Sequence, residues 1–412
     1  MKNSGIEWIG DIPDSWECCR IKYLFSFVKG KLPSTTNQEG KGLPYIGASE
    51  MNGKPTKLYT EDEGLPICKQ EDFLILWDGA NAGLVATGLT GVVSSTVVKC
   101  SLMSNKYSQK YIYYLLKYAE TYFRDKVNGT TIPHMNMGYI NDIPYFNIGL
   151  DVQQKIAQYL DEKCGKIDEL IANQQGQIEK LKEYKQSVIT EAVTKGLDKS
   201  APLKDSGIEW IGEIPAHWGI TRIKNLFELR NERNDEADLS KVNLISLYTD
   251  LGVVQHSDIV ETSGNRAVTA EGYKFVYKND IVVNIILCWM GAVGMSNYDG
   301  VTSPAYDIYQ PKNGTLSEYY HYLFRTKRFN GECYRYGRGI MLMRWRTYSA
   351  EFTAINIPEP PKQEQIEILS YLKEKSEKID RLIAIKQEKI EKLQEYKKSL
   401  IYEYVTGKKE VV

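Results

Sequence analysis

The chain is predicted to be of the α+β class: two globular domains joined by two long helices that pair as a coiled coil, under an internal pseudo-twofold symmetry. Three observations predict this. The sequence repeats itself in two separated blocks, the later block of each copy carries an apolar heptad, and the stretches between the blocks mix strand-like runs with aromatic helical ones.

The repeat sets the organisation. Ser4-Gly5-Ile6-Glu7-Trp8-Ile9-Gly10 recurs as Ser206-Gly207-Ile208-Glu209-Trp210-Ile211-Gly212, and Trp16 and Arg20-Ile21-Lys22 recur as Trp218 and Arg222-Ile223-Lys224. Near the end of each half, Lys166-Ile167-Asp168 and Glu183-Tyr184-Lys185 reappear as Lys378-Ile379-Asp380 and Glu395-Tyr396-Lys397. The first pair of blocks is offset by 202 residues and the second by 212, so the stretch between the blocks is ten residues longer in the second half; the unlike parts lie within it, at 26–150 and 228–358. A repeat unit this long is a duplicated domain rather than a solenoid module. It gives a shared frame with two private surfaces, which suggests that two different things are read.

The tails read as helices. From Leu160, the positions Cys164, Ile167, Ile171, Gln174, Ile178, Leu181, Lys185 and Val188 alternate steps of four and three; Leu372, Ser376, Ile379, Ile383, Lys386, Ile390, Leu393, Lys397 and Leu400 do the same. Residues 151–193 would span roughly 65 Å at the α-helical rise. So narrow an apolar stripe needs a partner, and each tail is the natural partner of the other, with Ile167, Ile171, Ile178 and Leu181 facing Ile379, Ile383, Ile390 and Leu393. Polar Gln174 and Lys386 hold equivalent seam positions and would fix register.

Between the frames, residues 73–77, 92–98, 242–247 and 281–283 look like strands, and aromatic-rich helices are expected near 107–127 and 316–329. The domain boundaries expected are 1–150 and 201–358 for the globular parts, and 151–200 and 359–412 for the helical ones.

Composition narrows the function. The 412 residues contain no apolar run long enough for a membrane span and no signal-peptide pattern at the start, so a cytoplasmic protein without a membrane role is expected. Seven cysteines without a C-x-x-C pair point to reduced, packed thiols. A phosphate-binding G-x-x-x-x-G-K-[ST] loop is absent, Asn141-Asp142-Ile143-Pro144-Tyr145 lacks the double proline of an amino-methyltransferase loop, and the Glu-Tyr-Lys triplets have no acidic partner just upstream. The four histidines are dispersed and unpaired with cysteine. Neither catalytic residues, nor a metal site, nor a cofactor is therefore expected.

What remains is binding. In the second domain Arg325, Lys327, Arg328, Arg335, Arg338, Arg344 and Arg346 face only Glu332, with Tyr334, Tyr336 and Trp345 interleaved. Arginine reads guanine bidentately and clamps phosphate, which makes this stretch a candidate groove reader. Arg328, Arg338, Arg344, Trp345 and Arg346 are the candidate contacts. The corresponding stretch of the first domain offers Thr130, Thr131, His134 and Asn136 for bases, with Arg124 and Lys126 for phosphates. Charge pulls the other way: Lys+Arg against Asp+Glu is 15 against 15 in residues 1–150 and 16 against 18 in 205–358, so any cationic surface must be local or come from another subunit.

These features together resemble the specificity (S) subunits of type I restriction-modification systems. The likeness covers nearly the whole chain. It is carried by Gly5 to Pro13 with Trp16 and their copy from Gly207, by Trp77-Asp78-Gly79-Ala80-Asn81-Ala82-Gly83, by Trp289-Met290-Gly291-Ala292-Val293-Gly294 with Ser303-Pro304-Ala305-Tyr306, and by Ile355 to Gln365. The resemblance implies two target recognition domains, each reading half of a split double-stranded DNA sequence, and two conserved helices packed antiparallel as a spacer. It also implies no catalysis in this chain: methyltransferase (M) subunits bring S-adenosylmethionine, and restriction (R) subunits bring ATP-driven translocation and cleavage. A stand-alone DNA-binding protein and a non-DNA coiled-coil scaffold are the alternatives.

Overall fold

The computed structural model describes residues 1–127, 133–141, 143–258, 269–339 and 345–411. The chain folds as two compact units, one comprising Met1–Gln175 with Gln387–Val412 and the other Gly176–Lys386.

Each unit carries one copy of the repeated heptapeptide, and the repeat extends to its bonds. Ser4 N donates to Gly10 O at 3.1 Å, and Ser206 N to Gly212 O at 3.1 Å. Both closing glycines sit at φ 69°, in the left-handed region where a side chain is strained. A two-stranded ribbon then joins the two ends of each domain: Glu17–Arg20 pairs with Pro144–Asn147, and Gly219–Arg222 with Asn356–Glu359.

At the centre of the first unit is an antiparallel four-stranded sheet in the spatial order Phe25–Lys29, Val97–Leu102, Phe73–Leu76, Val85–Thr87. The second unit repeats the order with Phe227–Arg230, Tyr306–Pro311, Ile281–Asn284 and Val293–Met295. The single strand expected over 92–98 is two strands, Gly91–Val93 in a neighbouring sheet and Val97–Leu102 in the central one. Ser94 turns the chain between them, its hydroxyl accepting from Thr96 N at 3.3 Å. The strand expected from 242 begins at Ile245, because the chain before it forms a helical turn over Leu239–Lys241, capped by Asp238, whose side chain accepts from Ser240 N at 2.9 Å.

One aromatic helix covers each sheet. In the first unit Gln109–Val127 buries Ile112, Leu115, Leu116, Ala119 and Phe123, the three-and-four spacing of a core-facing stripe. In the second unit the continuous helix expected over 316–329 is two helices, Ser317–Phe324 and Lys327–Tyr336. Thr326 makes the break. Fully buried, its hydroxyl donates to Leu323 O at 2.8 Å and accepts from Phe329 N at 3.3 Å, ending one helix and capping the next.

The tails are single helices of 46 residues, Leu150–Lys195, and 44 residues, Lys362–Val405. Each gives one half to each unit. Within the first unit Tyr159 meets Tyr404, with ring centroids 4.5 Å apart, and Asp168 meets Lys397 at 2.7 Å. Within the second, Gln177 accepts from Lys386, and Lys185 meets Asp380 at 2.7 Å. In both, rising numbers on one helix meet falling numbers on the other, so the pairing is antiparallel. Along the heptad positions, Ile167, Ile178, Ile379 and Ile390 are buried and Ile171, Leu181, Ile383 and Leu393 half-buried. A tyrosine docks each domain on the helix end, Tyr111 Oη donating to Val405 O at 2.9 Å and Tyr319 Oη to Val193 O at 2.8 Å. Among the described residues no helix is long and apolar enough to cross a membrane.

Candidate nucleic-acid interface

In each unit the segment after the aromatic helices returns to the turn that follows a central strand. Met135 N donates to Trp77 O at 2.9 Å, and in the second unit Thr347 N donates to Ile285 O at 2.9 Å. The same backbone link thus holds two loops of different chemistry.

In the first unit the link gathers a polar cluster. His134 Nδ1 pairs with the Asp78 carboxylate, while its Nε2 accepts from Trp77 Nε1 at 3.3 Å. Lys29 lies 3.8 Å from Asp78 and 5.8 Å from the centre of the Trp77 ring. The His134 side chain remains 60% exposed, so it is held without being hidden. Asn136 is exposed and its Oδ1 accepts from Gly138 N at 2.7 Å, which starts the short helix Met137–Asn141. Arg124 and Lys126 are exposed on the last turn of the aromatic helix, Lys126 over the ring of Tyr122. Thr130 and Thr131 lie outside the described residues.

In the second unit Arg338 and Arg346 close the loop through backbone, Arg338 N donating to Arg346 O at 2.8 Å and Arg346 N to Arg338 O at 2.9 Å. The Arg338 guanidinium pairs with Glu351 at 2.7 Å and stays 75% exposed. Trp345 stacks on Tyr334 with ring centroids 4.8 Å apart and donates through Nε1 to Tyr334 O at 3.0 Å; Trp289 meets the Tyr334 ring edge-on at 5.8 Å. Gly337 makes the approach possible, since a Cβ there would lie 2.2 Å from Trp345 Nε1. Arg344 falls outside the described residues.

The arginine run thereby divides by neighbourhood. Arg325 is a half-buried strut, donating to Val293 O, Thr249 O and Asp250 O at 2.8 to 3.1 Å, and partial burial lowers its pKa. Arg335 is held by Glu332, which raises its pKa. Arg328 stands on the first turn of its helix and donates to Ile211 O at 3.4 Å, so it is not brought together with Arg338 and Arg346, which follow the last turn. The first-unit carbonyl equivalent to Ile211 O, Ile9 O, accepts from Tyr402 Oη at 2.8 Å. Sequence reasoning missed Lys29, Trp77 and Asp78 as members of the first cluster. Their signal was the Trp-Asp-Gly turn after an apolar strand, a place where side chains leave the sheet.

Among the described residues no group of three or more His, Cys, Asp or Glu is placed to hold a metal ion. The fold and these surfaces define a duplicated binding protein, with one frame presenting two loop-borne polar faces. The chain belongs to the family described as the type I restriction modification DNA specificity domain, which matches residues 13–183 and 215–395. It is 30% identical over 223 residues to the MjaVIII specificity subunit of Methanocaldococcus jannaschii, a match spanning 53% of this chain and 51% of that one. The putative MjaX specificity subunit of the same organism is 23% identical, over 97% of this chain and 95% of its own length. The EcoDI specificity subunit of Escherichia coli is 21% identical, over 87% and 81%. A chain from a solved structure addressing complex assembly and conformational transition of the type I R-M system shares the fold, with a TM-score of 0.65 at 13% identity over 96% of this chain and 99% of that one.

Proposed function

We propose that this chain is the sequence-specific DNA-binding subunit of a type I restriction-modification complex. The loop at Trp77 and His134 reads one half of a bipartite target, the loop at Arg338 and Arg346 reads the other, and the paired tails set the spacer between them. The chain itself is not catalytic; methyltransferase and restriction subunits supply the chemistry, in the cytoplasm. One observation carries this reading. The repeat keeps the frame down to single hydrogen bonds, Met135 N to Trp77 O and Thr347 N to Ile285 O, yet changes nearly every side chain presented from it. A formal net charge of −1 fits a subunit whose partners help to enclose the DNA.

The test is a domain transplant. Replacing residues 26–150 by the corresponding block of a relative, in the assembled complex, should alter one half of the methylated sequence and leave the other half and the spacing unchanged. Changes in both halves, read by sequencing methylated genomic DNA, would contradict the assignment.

A further inference from the structure

The second unit contains a pocket of about 580 Å³ at the start of the helix Ser317–Phe324, lined among others by Asn225, Lys312, Thr315, Tyr320, Glu359 and Lys362. Two helix starts border it. Ser317–Phe324 begins at Leu316 with no side-chain cap, and the long helix begins at Lys362. The first N–H groups of a helix have no partner within it and carry partial positive charge. Tyr320 also borders the pocket, 1% exposed, and its hydroxyl makes no hydrogen bond of ordinary geometry among the described residues. The Gln365 side chain lies close enough to influence that hydroxyl, but its Nε2 donates to Pro360 O at 2.8 Å. Burial raises the Tyr320 pKa and Glu359 raises it further, so the hydroxyl keeps its proton and is a donor. A buried donor left unpaired is costly and uncommon, and an absent ligand is one standard reason for it.

The charges agree. Lys312 and Lys362 line the pocket, Lys312 Nζ donating to Lys224 O at 3.1 Å. Of the nearby carboxylates, Glu364 is taken up by His217 and by Trp218 Nε1 at 2.7 Å; Glu359 faces the pocket.

The repeat supplies an internal control. Matching Tyr111 to Tyr319 and Gln153 to Gln365 puts Ser104 in place of Lys312, Tyr107 in place of Thr315, Ile112 in place of Tyr320 and Leu150 in place of Lys362. In that unit the helix start is closed by the chain itself. Ser108 N donates to Gln153 Oε1 at 2.9 Å and Tyr111 N to Ser108 Oγ at 3.4 Å. The lysines, the hydroxyl and the open helix start are thus all private to the second unit.

We propose that this pocket binds the phosphate group of a small phosphorylated molecule, with the Tyr320 hydroxyl and the two helix starts donating to its oxygens and Lys312 and Lys362 balancing its charge. The pocket follows Pro311, and the loop at Arg338 and Arg346 is tied to the residue after Asn284. Tyr309 pairs with Ile281 and Tyr306 with Asn284, so the two places lie at opposite ends of the sheet. The site is therefore separate from DNA reading, and its failure would leave that reading untouched.

Inorganic phosphate is the probe, titrated calorimetrically into the full chain and compared with chloride at equal ionic strength. Phosphate should bind and raise the melting temperature. Tyr320→Phe should weaken binding about tenfold or more while leaving the melting temperature in chloride equal or higher, because only an unpaired hydroxyl is lost. Lys362→Gln, at an exposed position, should weaken binding less and keeps the test open if Tyr320→Phe folds poorly. Absence of phosphate binding, or binding unchanged in both variants, overturns the site. Displacement of phosphate by duplex DNA overturns its assignment to a small molecule, and persistence of phosphate binding in the presence of DNA supports it.

Discussion

In the first unit the loop at His134 adds side-chain ties to its backbone ones, with His134 held between Asp78 and Trp77 and Gly79 N donating to Pro133 O at 3.1 Å, whereas in the second unit Arg338 and Arg346 are paired by two backbone N–H to O bonds. This difference teaches where specificity can vary at low cost. On the proposed reading, every side chain spent on holding a loop is one fewer for the groove, so His134 would read by its exposed edge. The units also differ behind the loop. The second relies on a half-buried guanidinium, Arg325, and on His321, whose Nδ1 accepts from Met295 N at 3.1 Å; the first has Tyr113 at the place of His321.

The largest effect expected from breaking this comparison is a pH effect confined to the second unit. Burial, with Arg325 nearby, lowers the His321 pKa from 6.5 to about 4. The unfolded chain then binds the extra proton first, so stability is full above pH about 6.5, falls as pH drops, and levels off below about 4, a loss of up to about 3 kcal/mol. Denaturant unfolding across this range should show the slope, and His321→Gln should remove it; a slope that persists in the variant would assign it to other groups.

Next in size, Gly337→Ala should cost roughly 1 to 3 kcal/mol in stability, because the added Cβ meets Trp345 Nε1 and unstacks Trp345 from Tyr334. Its functional signature is loss of one half of the methylated target with the other half intact. An unaltered near-ultraviolet signal for the tryptophans would show that the stack tolerates the change.

Arg338→Ala and Arg346→Ala compare the loops directly with His134→Ala. An arginine reading guanine should cost about 1 to 3 kcal/mol in DNA affinity and relax preference at one base pair of one half-site. An arginine on phosphate would instead weaken all sequences alike and flatten the salt dependence. Replacing His134 should relax the other half-site. Affinity and salt slope measured in the assembled complex separate these roles, and unchanged values for all three variants would leave both loops as solvated surface.

The smallest effect tests the sameness of the frame. Lys185→Met and Lys397→Met remove equivalent ion pairs, with Asp380 and Asp168, which are themselves more than half exposed. Each should cost about 0.2 to 1 kcal/mol, less at high salt, and the two losses should be equal. Unequal losses in thermal unfolding would show that the repeat is less symmetric in energy than in geometry.

Much of the frame was legible because it is written in local periodicity. A three-and-four spacing places Ile167, Ile178, Ile379 and Ile390 on one stripe whatever covers it, and so narrow a stripe must be covered. The glycines of the repeated heptapeptide are likewise a local requirement, a left-handed turn that few other residues adopt. Three other features were not legible from neighbours in the chain. Arg325 and Arg338 look alike in sequence, yet one meets three carbonyl groups and the other a carboxylate at the surface, because packing brings Thr249, Asp250 and Val293 to the first and Glu351 to the second. The aromatic run after Leu316 could be one helix or two by propensity, and the burial of Thr326 decided for two. His134 depended on Trp77, 57 residues earlier. The sequence by itself determined the repeat, the seam and the class, since these follow from the order and spacing of residues. Only the tertiary structure decided which polar side chains are struts and which face outward, since a hydrogen-bond partner is chosen by distance in space and direction, and neither is encoded in spacing along the chain.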